Sequence, residues 1–339
     1  MNTLPKSNKR FLGIGNALTD VLAVFDTDEP LERFSLPKGS MQHVTEEKAG
    51  EIFEILKQYE FQSVAGGSTA NTISGLADLG ETVGFVGKVG EDEVGSLFRR
   101  DLESRGVAPV LLKGKSASGR AMVFVTGKQC ERTFGVYLGA ALELCAEDLT
   151  DEMYRGYDHL HVEGYLVQNH ELIEEALKRA RKNGLRVSVD MASYNVVEEN
   201  LDFFRGLIDR YVDVVFANET EAQALTGLSD YRKAAEMIAE HCEVAVVKNG
   251  PSGSVVVSKG KSWQVPSLPA VVRDATGAGD LYAAGFLYAD ALGLSYDRCG
   301  RIGTILASSV IEVLGTKMDA DRWSRIYQDI AAVLEEAGR

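Results

Sequence analysis

From Tyr157 onward short apolar runs, each ending in a polar break, alternate with helix-length segments, without an internal sequence repeat. The series reads HLHVEGY, a helix from Asn169, GLRVSVD, a helix near Val197, DVVFAN, two helices, and EVAVVKN. Continuous β-branched runs alternating with helices are the pattern of strands buried on both faces, so the chain predicts a mostly parallel central sheet between two helical layers. In such sheets a ligand sits beyond the carboxyl ends of the strands. The polar and glycine residues that follow the apolar runs are therefore the candidates: Asn16, Asp20, Gly66, Gly67, Glu163, Asp190, Asn218, Glu221, Lys248, Gly250 and Asp280.

The stretch VVRDATGAGDLYAAGFLYA, residues 271–289, carries the most chemistry. Two β-branched residues, a glycine turn and a run of small apolar residues predict a strand end, a turn and a helix start. The unpaired N–H groups of a first helical turn, with the dipole behind them, favour an anion. Gly277, Ala278 and Gly279 thus form a candidate anion hole. A carboxylate inside an anion site repels the ligand it attracts unless it has a task, so Asp280 is the candidate base, placed to take a proton from a hydroxyl that attacks a phosphate. The plain alternative is a strand-to-helix turn with Asp280 as a first-turn acid.

Earlier in the chain, Phe11–Gly15 reads as the first strand and Val21–Phe25 as a second extended run, with Asn16 and Asp20 between them. Residues 26–42 read as a loop, and Thr45 with Glu46 and Glu47 as a helix start running to about Tyr59. Ser63–Asn71 reads as a glycine-pair turn with Ser68 or Thr69 as the helix cap, and a further helix follows the turn at Gly90–Asp92. The short extended pieces of Val107–Tyr137 predict antiparallel strands in a small sheet outside the main one. Two phosphate-loop motifs fail: the third glycine after Gly13 and Gly15 is Leu18, and the first glycine before Gly114-Lys115 is Pro109. His159 and His161 have no carboxylate or thiolate partners nearby in sequence and read as core histidines.

The length of 339 residues accommodates one large α/β domain, and 45% hydrophobic with 25% charged residues is a globular balance. A formal charge of −14 argues against general affinity for nucleic acid or an anionic membrane. Cys130, Cys145, Cys242 and Cys299 form no Cys-x-x-Cys and read as reduced thiols of a cytoplasmic protein. The apolar run after MNTLPKSNKR is too short for a signal peptide, and no stretch has the length of a membrane span.

Asp-x-Thr-Gly-Ala-Gly-Asp at 274–280, together with Gly-Gly-x-x-x-Asn at 66–71 and its following Leu-x-x-Leu-Gly, resembles the two signatures of the ribokinase-like, or phosphofructokinase B, family of carbohydrate and nucleoside kinases. The resemblance runs from about Phe11 to Gly315. It implies a three-layer α/β fold as a single domain over 1–339, with a small β lid inserted from about 20–42 and 107–140. It also implies ATP and Mg2+, with K+ as a further option. Asp20, a short carboxylate suited to a ribose diol, is implied as a substrate contact beside Asn16, Gly66, Gly67 and Asn71. Glu163 reads equally as a substrate contact or a structural residue. Asn218 and Glu221 resemble the family's Asn-x-x-Glu motif, with Glu221 reaching magnesium through water, while Asn218 also reads as a helix cap. Lys248, Gly250 and Gly253 resemble the nucleotide-side turn. Asp274 reads as a monovalent-cation ligand or as a pin for the turn, and Arg132 as a lid arginine for phosphate or as a surface ion pair.

GNALTDVLAVFDTDEP with GSMQHV, CERTFGVYLGAALEL and GDLYAAGFLY resemble the adenosine-kinase-like branch. Ala275 and Leu281 depart from the common pattern. The expectation is thus a kinase acting on the 5′-hydroxyl of a ribonucleoside, adenosine first, with Phe25, Phe34 and Phe134 as candidates for a base pocket. A free-sugar kinase is the nearest alternative, and a nucleoside- or sugar-binding regulator without catalysis is the alternative of another class. The expected partner is a small molecule, with the protein a monomer or a homodimer through the lid.

Overall fold

The computed structural model describes residues 4–59, 61–126 and 131–336, without the side chains of Met41, Gln62, Glu131 and Arg132. Among the described residues two sheets form. The larger has nine strands in the order Lys261–Val265, Ser254–Ser258, Val244–Lys248, Val214–Asn218, Arg186–Asp190, His159–Glu163, Arg10–Ile14, Thr82–Val89, Ala108–Lys113. All neighbours from Ala108–Lys113 through Val244–Lys248 are parallel, and the last two strands add an antiparallel edge. Alternate strand residues enter opposite cores, as the period of two requires. Val215 and Ala217 join the helices His170–Lys182, Leu201–Tyr211, Glu219–Thr226 and Tyr231–Ile238. Val214 and Phe216 join Ser68–Asp78, Glu93–Ser104, Ala278–Ala291, Tyr296–Val310 and Ala320–Glu335. These are the three layers that the sequence predicts. Cys145, Cys242 and Cys299 are free thiols, and Cys130 lies outside the described residues.

The strand Arg10–Ile14 is the switch point, because later strands are added on both of its sides, Thr82–Val89 on one and His159–Glu163 on the other. Helix Ala278–Ala291 is apolar on nearly every side and correspondingly buried, which is the position a helix of this composition must take. Its neighbour Ser68–Asp78 approaches so closely that a Cβ on Gly75 would stand 2.8 Å from Ala284 Cβ. That contact brings the two glycine-led helix starts, Ser68 and Ala278, side by side.

The second sheet has five strands in the order Met41–His43, Glu131–Tyr137, Gly119–Thr126, Leu18–Phe25, Phe61–Gly66. Its outer face buries Val21, Ala23, Phe25 and Phe124 under Ile52, Phe53 and Leu56 of helix Glu46–Leu56, which Thr45 caps through Lys48 N. This sheet corrects several expectations. It is mixed, with Leu18–Phe25 parallel to Gly119–Thr126. Ala108–Lys113 belongs to the large sheet, where it pairs with Thr82–Val89, so the lid does not begin at 107. Phe61–Gly66 is a lid strand and not a turn, and Asp20 lies within a strand and not before one. Residues 26–42 include the short helix Glu29–Arg33. Val271 and Val272 form no strand; they are 75% and 65% exposed in the connection that leads to the glycine turn.

Candidate functional site

One cavity of about 1030 Å³ lies between the carboxyl ends of the large sheet and the inner face of the second sheet. Its floor is the glycine turn. The Asp274 carboxylate is buried and pins this turn from both sides, accepting from Thr276 N at 3.0 Å and from Gly315 N at 2.7 Å. Gly277 stands in the left-handed region at φ +74°, and the helix begins at Ala278, whose N–H closes on Ala275 O at 3.2 Å. The other amides of this first turn point out of the helix end, where the dipole favours negative charge.

Asp280 sits two residues beyond that helix start, with both carboxylate oxygens oriented from the neighbouring helix. Ser68 Oγ donates to Oδ1 at 2.7 Å and Asn71 Nδ2 to Oδ2 at 2.8 Å, while Thr316 Oγ1 donates to Asn71 Oδ1 at 3.2 Å. Burial, and then the charge of Asp190, push the Asp280 carboxyl up to about 6 against the pull of those two hydrogen bonds and of Lys248. A carboxylate with that affinity for a proton is a better base than a solvated one and is still ionised at neutral pH.

Beside the start of helix Ser68–Asp78, Glu163 is fully enclosed and accepts from Asn16 N and Nδ2 at 3.0 and 2.7 Å and from Thr69 N at 2.9 Å. Its carboxylate therefore fixes the Asn16 side chain and the start of helix Ser68–Asp78, and burial raises its pKa. Gly67, at φ +91°, caps that helix and passes so close to Asn16 that a Cβ would meet its carbonyl oxygen at 2.5 Å. Because Gly67 holds the cap position, neither Ser68 nor Thr69 serves as the cap, and the Ser68 hydroxyl is free to reach Asp280. Asp20 faces the same space, packed on Gly66 so tightly that a Cβ there would stand 2.4 Å from its carboxyl carbon. Leu18, Ala121, Phe134, Val136 and Leu138 make an apolar wall beside these polar groups. Of the three aromatic candidates only Phe134 is in this wall; Phe25 and Phe34 are buried on the opposite face against Phe124.

At the other end of the cavity Asn218 caps helix Glu219–Thr226 in a reciprocal box, its Oδ1 accepting from Thr220 N and Glu221 N. Glu221 is buried, with each oxygen accepting from Asn218, one from N at 2.8 Å and one from Nδ2 at 2.7 Å. Burial and the neighbouring Asp190 raise its pKa. Lys248 Nζ reaches Asp190 Oδ2 at 2.9 Å; burial opposes its charge, but Asp190 and Glu221 outweigh this and hold it above the usual lysine range. Gly250 and Gly253 line this end with Leu268, Val272 and Ile311. Arg132 lies in the lid strand Glu131–Tyr137, with its side chain outside the described residues.

The structure thus gathers Asn16, Asp20, Gly67, Asn71, Glu163, Asn218, Glu221, Lys248, Gly250, Gly253 and Asp280 around one space, whereas Asp274 stands behind the turn. Ser68 is a member that the sequence pattern does not assign to the site, although it lies inside the 66–71 signature. Thr316 is another, and nothing in its local pattern announces it. His159 and His161 are buried beneath the site, sharing the Ser188 hydroxyl at 2.9 and 2.8 Å.

Residues 44–322 match the pfkB family carbohydrate kinase. An uncharacterized sugar kinase of Archaeoglobus fulgidus is 30% identical over 245 residues, 72% of this chain and 96% of that protein. The structure of a probable sugar kinase protein from Rhizobium etli CFN 42 superposes with a TM-score of 0.83 at 30% identity, covering 96% of this chain and 99% of that one. The adenosine kinase from Sinorhizobium meliloti gives a TM-score of 0.82 at 33% identity, covering 95% and 99%. Its signatures, its fold and these relatives make the chain a member of the PfkB family of carbohydrate kinases, an ATP-dependent phosphotransferase acting on a sugar or nucleoside.

Proposed function

We propose that this enzyme transfers the γ-phosphoryl group of ATP to the 5′-hydroxyl of a ribonucleoside, adenosine being the first candidate. The observation that carries the reading is the apolar wall of Leu18, Ala121, Phe134, Val136 and Leu138 next to Asp20 and Asn16 in the same cavity. A sugar alone offers hydroxyls on every side and leaves such a wall unmatched, whereas a nucleoside presents a diol for the carboxylate and a flat apolar base for the wall. The likeness to the Sinorhizobium meliloti adenosine kinase supports the same choice.

In this reading the substrate hydroxyl approaches Asp280, which accepts its proton while Ser68 and Asn71 keep the carboxylate in place. The amides of Gly277 and Gly279 hold charge on the transferring group, where preorganised donors contribute most, while that of Ala278 closes the turn on Ala275 O. The second sheet covers the site and keeps out the water that would otherwise hydrolyse ATP. Among the described residues no group of three or more His, Cys, Asp or Glu is placed to hold a metal ion. The committed oxygens of Glu221 fit a magnesium ion bound mainly through ATP oxygens and water. Such an ion neutralises phosphate charge when bound. The Asp274 carboxylate is occupied by two amides, and a potassium ion at this loop would share it with them.

The test is ADP release with magnesium and ATP, with and without potassium, across adenosine, inosine, guanosine, ribose and fructose. Turnover with nucleosides and little with free sugars is the expected result; turnover confined to sugars would move the assignment to a free-sugar kinase. A second expectation concerns pH. Asp280 must be ionised to accept a proton, so kcat/KM should fall below about pH 6, by about tenfold per unit, and level off above it. An acid limb near the ordinary carboxylate range would mean that Asp280 is solvated in the free enzyme.

A further inference from the structure

Lys248 ends the strand Val244–Lys248 and Asp190 ends Arg186–Asp190, with Asn218 on the strand between them. The ion pair of 2.9 Å crosses that strand end, and its side chains are only 16% and 9% exposed. On its other side the ammonium rests against the anion turn: a Cβ on Gly279 would stand 2.9 Å from Lys248 Nζ. Glycine at 279 is what leaves room for it. The ammonium is thus held between Asp190 and the first helical turn, one residue from Asp280.

Stability does not account for this arrangement, since a buried ion pair commonly returns less than its desolvation costs. Geometry gives another account. An ammonium has three donors on a flexible stem, and this one lies among three carboxylates, Asp190, Glu221 and Asp280, each able to draw it to a different place. The bond to Asp190 selects the position next to Gly279. We propose that Asp190 is a positioning residue, which holds Lys248 against the anion turn so that the ammonium contacts the non-bridging oxygens of the transferring phosphoryl group. One donor stays on Asp190 and the others turn to the phosphate. The inference rests on the phosphotransfer reading and goes beyond it in giving Asp190 a part in the chemistry.

Kinetics of Asp190→Asn, Lys248→Met and the double variant, each with magnesium and ATP and the best acceptor of the wild type, test the proposal. Lys248→Met should lower kcat by about a hundredfold. Asp190→Asn should lower kcat by about tenfold with acceptor KM unchanged, and the double variant should be no slower than Lys248→Met, because the two residues act as a unit. A purely structural Asp190 would instead raise both KM values and lower the melting temperature together. Asp190→Asn with kcat within about twofold of wild type, or effects that multiply in the double variant, would overturn the proposal. If the wild type phosphorylates a sugar and not a nucleoside, the nucleoside reading fails while the same comparison runs on the sugar. If no acceptor is found, ATP hydrolysis by the wild type and the three variants gives the comparison.

Discussion

Asp280→Asn is expected to lower kcat by about a thousandfold or more while nucleoside affinity changes by no more than about threefold. The substitution is close to isosteric, and the new amide satisfies the same neighbours, donating to Ser68 Oγ and accepting from Asn71 Nδ2 where the carboxylate accepts from both. Folding should therefore be nearly unaffected, which a melting curve verifies, and the loss belongs to proton transfer. Single-turnover rates with adenosine and ATP, set beside binding of adenosine by calorimetry, separate the two quantities. Turnover close to that of the wild type would remove Asp280 from the mechanism.

The second large effect is expected at Gly277→Ala, about a hundredfold in kcat. Two costs combine there. At φ +74° a side chain loses about 1–2 kcal/mol against the backbone. The added Cβ would also stand 2.4 Å from Thr316 Cγ2. Thr316 is not free to turn aside without loss, because its hydroxyl holds Asn71, which in turn holds Asp280. The disturbance therefore spreads from the anion turn to the base. Gly184→Ala separates the two costs, since Gly184 has a similar φ of +78° with open space around it. It should lower the melting temperature and leave kcat unchanged. Equal kcat in the Gly277→Ala and wild-type enzymes would show that the turn does not hold the transferring group.

Much of this site is legible in the amino-acid sequence. The alternation of strands and helices after Tyr157 specifies the parallel sheet, and the rule that ligands gather at carboxyl strand ends selects Glu163, Asp190, Asn218 and Lys248 correctly as neighbours. Partner choice between sheets is not legible. Ala108–Lys113 has the same extended pattern as the lid strands, and only its pairing with Thr82–Val89 distinguishes it, a contact that local periodicity does not encode. Val271 and Val272 mislead for a related reason: β-branched residues before a glycine turn read as a strand, but here they form an exposed connection with no strand alongside. Asn71 and Glu163 illustrate a subtler limit. Their position in the site is predictable, while their partners are not: Asn71 donates to Asp280 because two helices meet across Gly75, and Glu163 accepts from Asn16 because their strands run side by side.

The chain passes between the large sheet and the lid at four places, next to Leu18, Gly66, Gly119 and Leu138, and these lie side by side across the lid sheet. Four tethers in a row leave one easy degree of freedom, rotation about the line through them, and resist both sliding and twisting. Displacement under such a rotation grows with distance from the axis. Asp20 is two residues from it, roughly 7 Å, whereas Phe134, level with Val123, is four residues out, roughly 13 Å. Asp20 therefore stays nearly stationary under such a rotation while Phe134 travels about twice as far. On the proposed nucleoside reading, an acceptor is anchored by its sugar first, and its base is judged only as the door swings shut.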